Sequence, residues 1–200
     1  MPPALSAPIG DPLRLFVALW PDASAHAWLR EADDAVAWPR GAARAGPERW
    51  HITMHFLGAV PRPALPTLLP ALQQPFDPFA FELGRVEAWP RGLVVVEPAQ
   101  SAPALQDLQA ALGQALLRVG LPVESRAFKP HVTLARRAAR ATWAAPSAPQ
   151  RWLVSAYALV ASAGGRYRNL ALYRGGMLSA AADPAPATTQ IRPAPGPRPR

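Results

Sequence analysis

The stretch Trp50-His51-Ile52-Thr53-Met54-His55-Phe56-Leu57-Gly58 is answered further along the chain by Phe128-Lys129-Pro130-His131-Val132-Thr133-Leu134-Ala135-Arg136. Each copy holds a His and a Thr two positions apart, with an apolar residue between them and another after. In an extended strand successive side chains point to opposite faces, so His51 and Thr53 share one face and Ile52 and Met54 the other. His131 and Thr133 share a face in the same way, with Val132 and Leu134 behind them. A sheet that buries the aliphatic side therefore offers two imidazoles and two hydroxyls to something polar.

Chance explains this poorly. Thr supplies six of the 200 residues and His four. A given His then meets Thr two places on about three times in a hundred, and two of the four doing so is on the order of one in two hundred, a specific signal for so short a motif. One copy alone would be read as a polar pair closing hydrogen bonds within a sheet; the repeat points to a site.

Composition sets the frame. A chain of 200 residues, 50% hydrophobic, suffices for one domain with a proper core or for two closely packed lobes. Cysteine is absent, which excludes a disulfide framework and thiolate zinc sites and agrees with the cytoplasmic location expected. The early apolar run Leu13 to Trp20 is short, contains Arg14 and follows no basic region, so neither a signal peptide nor a membrane span is expected. The formal charge of +8 suits a polyanionic partner. Every basic residue except Lys129 is Arg, and Ala and Pro abound, the imprint of a GC-rich genome. Charge thus permits RNA without demanding it, and no runs of alternating basic and aromatic residues mark a nucleic-acid module.

Taken in order, residues 1–12 are rich in Pro and small residues and are expected to be flexible. Leu13 to Trp20 reads as a buried strand, followed by a helix capped by Asp22 and running to about Val36. His26 lies on that helix as a surface residue. Residues 38–47 form a loop whose Arg40 and Arg44, with Arg49, are candidates to line the approach to a phosphate. Arg49 to Val60 is the first repeat strand, and a Pro-interrupted segment near Ala64 is a short helix. Phe79 to Leu83 and Gly92 to Pro98 read as a hairpin about Trp89-Pro90-Arg91-Gly92. Ser101 to Val119 is a helix with Leu105, Leu108, Leu112, Leu116 and Leu117 on one face and Gly120 as its stop. Pro130 marks the second repeat strand as starting there or lying at an edge. Trp152 to Ala161 and Tyr167 to Tyr173 are strands joined across Gly164-Gly165, and residues 179–200 form a Pro/Ala/Arg-rich tail expected to be disordered.

The expected fold class is α+β, bilobal, with two antiparallel sheets and flanking helices arranged with pseudo-twofold symmetry about a central cleft. Residues 13–178 form this one domain. Each lobe supplies one His-x-Thr strand.

The groups themselves narrow the chemistry. His51 and His55 have a spacing that suits zinc on a helix, but on a strand they lie about 13 Å apart, four residues at about 3.3 Å each. Hydroxyls are poor zinc partners and no carboxylate accompanies either repeat, so neither a metal nor a cofactor is expected. His55 reads as a polar residue on the exposed side of its strand. Two imidazoles and two hydroxyls do match phosphodiester chemistry: one group takes a proton from the attacking water, another protonates the departing oxygen, and hydroxyls donate to the non-bridging oxygens.

With Arg14-Leu15-Phe16-Val17-Ala18 near the start, the two motifs resemble those of the 2H phosphoesterase superfamily. Within it they are most similar to the bacterial and archaeal RNA 2′,3′-cyclic phosphodiesterases, once called 2′-5′ RNA ligases. The resemblance implies hydrolysis of an RNA or nucleoside 2′,3′-cyclic phosphate to the 2′-phosphomonoester without metal. It implies His131 as general base, His51 as general acid, Thr53 and Thr133 as phosphate holders, Arg136 as a phosphate or nucleotide contact, and Phe56 as an aromatic that stacks on the terminal base. Ideal alternation sets Phe56 and Arg136 on the face opposite the His residues. Either the strands bulge or twist there, or these two are core and rim. A binding module without turnover, or 2′-5′ ligation by reversal, are the alternatives. RNA ends or cyclic nucleotides are the partners expected, the protein being a monomer without an obligate protein partner or a membrane.

Overall fold

The computed structural model describes residues 11–144 and 148–176, so residues 1–10 of the expected flexible N-terminus, and the tail, fall outside the described residues. In chain order the elements are β1 (Leu13–Leu19), α1 (Ala23–Asp34), β2 (Val36–Ala37), β3 (Ala43–Arg44), β4 (Ile52–Val60), α2 (Leu65–Ala71) and β5 (Phe79–Trp89). There follow β6 (Leu93–Pro98), α3 (Pro103–Arg118), β7 (Val132–Arg136), β8 (Thr142–Trp143), β9 (Gln150–Val154), β10 (Ala156–Ala163) and β11 (Arg166–Arg174).

The strands form one antiparallel sheet in the order β11-β10-β1-β4-β7-β6-β5-β9, with β3 beside β7 and β2 paired apart with β8. The two expected sheets are its halves, joined between β4 and β7 by the single pair Ile52↔Val132. Each half is built on the same unit, β1-α1-β4 in one and β6-α3-β7 in the other, so a pseudo-twofold axis runs through that joint. Because the pair is antiparallel, His51 lies towards Thr133 and Thr53 towards His131.

Local chemistry explains the helices. Asp22 caps α1 by accepting the Ala25 N–H at 2.8 Å, and its other oxygen accepts the Leu153 N–H at 2.8 Å, fixing the helix to β9. Burial in α1 falls on Ala25, Leu29 and Ala32. Helix α3 buries Leu105, Leu108, Leu112 and Leu116 at helical spacing. Leu117, expected on that face, is 54% exposed, since one further step of about 100° carries it off the stripe. The Pro130 reading resolves as a strand start, for β7 is central rather than an edge.

Both repeat strands bulge at the same place. Val17 pairs with His55 and Ala18 with Thr53, leaving Met54 as an extra residue in β4. Val94 pairs with Ala135 and Val95 with Thr133, leaving Leu134 extra in β7. An extra residue reverses the phase of everything after it. Met54 and His55 are consequently both buried, as are Leu134 and Ala135, while Phe56 and Arg136 come out on the other face.

That reversal corrects the reading of His55 as an exposed residue: it is only 4% exposed. Its Nε2–H donates to the Gln109 carbonyl of α3 at 2.7 Å. The helix can come this close because residue 113 is Gly; a Cβ there would stand 3.2 Å from the His55 ring. His55→Ala should therefore destabilise the fold by about 2–4 kcal/mol, through the cavity and the lost hydrogen bond, while kcat stays within a few-fold. Denaturant melts and initial rates on the same preparation check this; unchanged stability would place His55 outside the core.

Candidate active site

Both motif His residues sit one position ahead of their strands, where the chain is turning. This lets each ring fold back on its own backbone. His51 Nδ1–H donates to the Arg49 carbonyl at 2.6 Å, and His131 Nδ1–H donates to the Lys129 carbonyl at 2.7 Å. A carbonyl only accepts, so Nδ1 carries the proton in both rings and Nε2 is left for chemistry. In the neutral ring His51 Nε2 accepts from the Thr53 hydroxyl at 3.1 Å.

Aromatic side chains hold the two rings differently. His51 lies against Phe16, Trp20 and Tyr167, with centroids at 5.0, 5.3 and 5.5 Å. His131 lies on Trp89 at 4.4 Å. Burial pushes His51 below the ordinary imidazole value, the Arg49 carbonyl opposes this, and charge on His131 lowers it further. Burial also lowers His131, against the Lys129 carbonyl and Glu97, with the Arg136 charge adding to the depression. The neutral, proton-accepting form is thus favoured at both rings, and the second proton is harder to add than the first.

A hollow of about 400 Å³ collects both His and both Thr. Its walls include Arg136 and Phe56, so all six site residues named from the sequence border one space. Arg44 and Arg49 line it too, whereas Arg40 does not. Arg14, Phe16, Ser162 and Tyr167 complete it, and sequence reading had assigned them only to strands. A usable signal existed for two of them, because Arg14 and Phe16 alternate on the face of β1 opposite Leu15 and Val17. The Arg14 guanidinium stands 4.6 Å from the centroid of the Phe56 ring, which is 49% exposed. A second, more apolar hollow of about 580 Å³ adjoins the first, sharing Thr53, Phe56 and His131 and adding Trp89 and Phe128.

His26, read as a surface residue, is half-buried, its Nε2 facing the Pro47 carbonyl at 3.3 Å and its ring against Trp50, away from the hollow. Among the described residues, no group of three His, Cys, Asp or Glu side chains is placed to hold a metal ion. No helix among them is long and apolar enough to cross a membrane.

Three imidazoles make stability pH-dependent. His51, His55 and His131 all bind protons less readily when folded, burial being the leading cause for each. Unfolded imidazoles titrate near about 6.5. From there downward the unfolded chain takes up more protons than the folded one, so stability held above that pH is lost on acidification. Thermal melts should give a lower Tm at about pH 5 than at about pH 7.5; an unchanged Tm would mean that the rings are as free to charge in the fold as out of it.

Comparison with known proteins bears on the same stretch. The family model described as the 2′-5′ RNA ligase superfamily matches residues 21–166. The RNA 2′,3′-cyclic phosphodiesterase of Thermus thermophilus is 32% identical over 168 residues, 75% of this chain and 82% of that protein. The protein of the same name from Bacillus subtilis is 33% identical over 99 residues, 46% of this chain, and the match spans only 53% of its own length. E. coli LigT, solved in complex with NADP+, superposes with a TM-score of 0.72 at 27% identity, over 82% of this chain and 98% of that one. Two His-x-Thr motifs brought to one hollow by a duplicated β-α-β unit, and a family match across most of the folded chain, give one result: the protein belongs to the 2′-5′ RNA ligase superfamily of 2H phosphoesterases.

Proposed function

We propose that the protein hydrolyses RNA or nucleoside 2′,3′-cyclic phosphates to 2′-phosphomonoesters by acid-base catalysis between two histidines, without a metal. The observation that carries this reading is the pair of imidazoles, each with Nδ1 tied to a carbonyl and Nε2 free, on one hollow walled by Arg. Both relatives named above are RNA 2′,3′-cyclic phosphodiesterases, which supports the substrate class.

In this mechanism His131 Nε2 takes a proton from water as its oxygen attacks phosphorus. The P–O3′ bond opposite breaks, and O3′ takes a proton from His51 Nε2–H. His131 ends protonated and His51 neutral, and exchange with solvent restores the pair. Thr53 and Thr133 donate to the non-bridging oxygens and Arg136 offsets their charge. The incoming phosphate anion favours the imidazolium at His51 that its surroundings otherwise resist. Phe56 stacks on the terminal base, which the adjoining aromatic hollow is shaped to receive, and Arg14, Arg44 and Arg49 face the phosphates of a longer strand.

The test is product identification on nucleoside 2′,3′-cyclic monophosphates, with and without EDTA. A 2′-phosphate formed equally in both supports the reading. A 3′-phosphate reverses the acid and base assignments, binding without product leaves a non-catalytic module, and loss in EDTA restored by zinc or manganese overturns the metal-free mechanism.

A further inference from the structure

The pseudo-twofold axis that matches His51 with His131 fails at their neighbours. Leu19 pairs with Ile52 and Val96 with Val132. The next positions outward, Trp20 beside His51 and Glu97 beside His131, are therefore equivalent in the fold and opposite in chemistry. One half places an indole there and the other a carboxylate.

Glu97 is held at both oxygens. Oε1 accepts the Trp89 Nε1–H at 2.7 Å, and Oε2 accepts from Arg85 Nη2 at 3.0 Å. The same Trp89 ring lies 4.4 Å from the ring of His131. The carboxylate thus grips the indole that backs the imidazole, and its negative charge stands on the His131 side of the groove alone. Its side chain is only 22% exposed, so water screens that charge weakly.

We propose that Glu97 is a positioning residue for the general base: it clamps Trp89 against His131 and stabilises the imidazolium that forms there when water gives up its proton. This rests on the function proposed above and adds to it the reason why His131, rather than its symmetry mate, is the base. An acceptor must gain basicity as it takes the proton, and an acid must shed its proton readily. A carboxylate beside one ring and aromatic rings alone beside the other divide those tasks.

The other charged groups near His131 work against protonation. Arg136 of β7, His51 ahead of β4, Lys129 in the preceding loop and the wall residues Arg44 and Arg49 are all basic, and Arg85 tempers Glu97 itself. Glu124, at the rim of the apolar hollow, is paired with Arg126 at 2.7 Å. Glu97 is left as the acidic group that favours the charged ring, in agreement with the direction of its effect on His131.

NMR titration of the His ring protons in the full chain, parent against Glu97→Gln, tests this together with kcat–pH profiles. The His131 midpoint should fall by about half a unit or more in the variant, with a smaller change at His51. The acid limb of kcat should move the same way, and kcat at its plateau should drop about tenfold with KM little changed. Glu97→Asp should recover part of both. Trp89→Phe, which keeps a ring but removes the N–H, should lower kcat with less effect on the His131 midpoint. A His131 titration curve in Glu97→Gln that overlays the parent's overturns the proposal. The titration needs no substrate, so a parent protein that turned over no cyclic nucleotide would sink the proposed function and leave the effect of Glu97 on His131 still decided.

Discussion

Alanine at His51 or at His131 is expected to lower kcat by about 10²–10⁴-fold, the usual worth of one positioned proton-transfer group. Each ring supplies one Nε2 to the hollow, and nothing else on its wall both accepts and donates a proton near neutral pH; the remaining titratable groups there are Arg and Tyr. The two losses should not add in the double variant, because neither imidazole completes turnover without the other. Stability should change little. Each ring is half-buried and makes its main hydrogen bond to a nearby carbonyl, so truncation opens no sealed cavity. Rates on a cyclic mononucleotide, with melting curves of the same samples, check both halves of this expectation. Activity retained with Tm collapsed would make the rings structural.

The second large effect is expected at Arg136. Arg136→Gln should lower turnover about 10²–10³-fold, as loss of one preorganised donor to developing charge commonly does. The side chain reaches the hollow only because Leu134 is an extra residue in β7; without that bulge it would share the face of Val132. Arg136→Lys keeps the charge but not the planar fork and should recover the rate in part. The variant's His131 should also accept protons more readily, since a neighbouring positive charge is gone. The acid limb of the kcat profile would then move to higher pH. Parental rates in Arg136→Gln would remove the residue from the site.

Much of this was legible in the sequence because the repeat is short and regular. Period-two alternation over His51-Ile52-Thr53 and His131-Val132-Thr133 placed four polar groups on one face, and Leu spacing located α3. Alternation could not supply the fate of His55, Phe56 and Arg136. A bulge is a relation between two strands, and the partners β1 and β6 are distant in sequence from the residues whose phase they reset. Family resemblance named Phe56 and Arg136 where periodicity objected, and the two bulges reconcile them with one space. Tyr167 and Ser162 were beyond reach for a different reason: they join the wall because β10 returns to pair with β1.

That return has a further consequence. One half of the sheet is assembled from β1, β4, β10 and β11, so its first and last strands come from opposite ends of the folded chain. The helices cross over as well, α1 fastened to β9 of the other half and α3 to His55 of β4. No single scission can release a self-sufficient half, and neither can melt while its mate survives. Denaturation should accordingly be one cooperative event, and the alignment of the two imidazoles is a property of the entire chain.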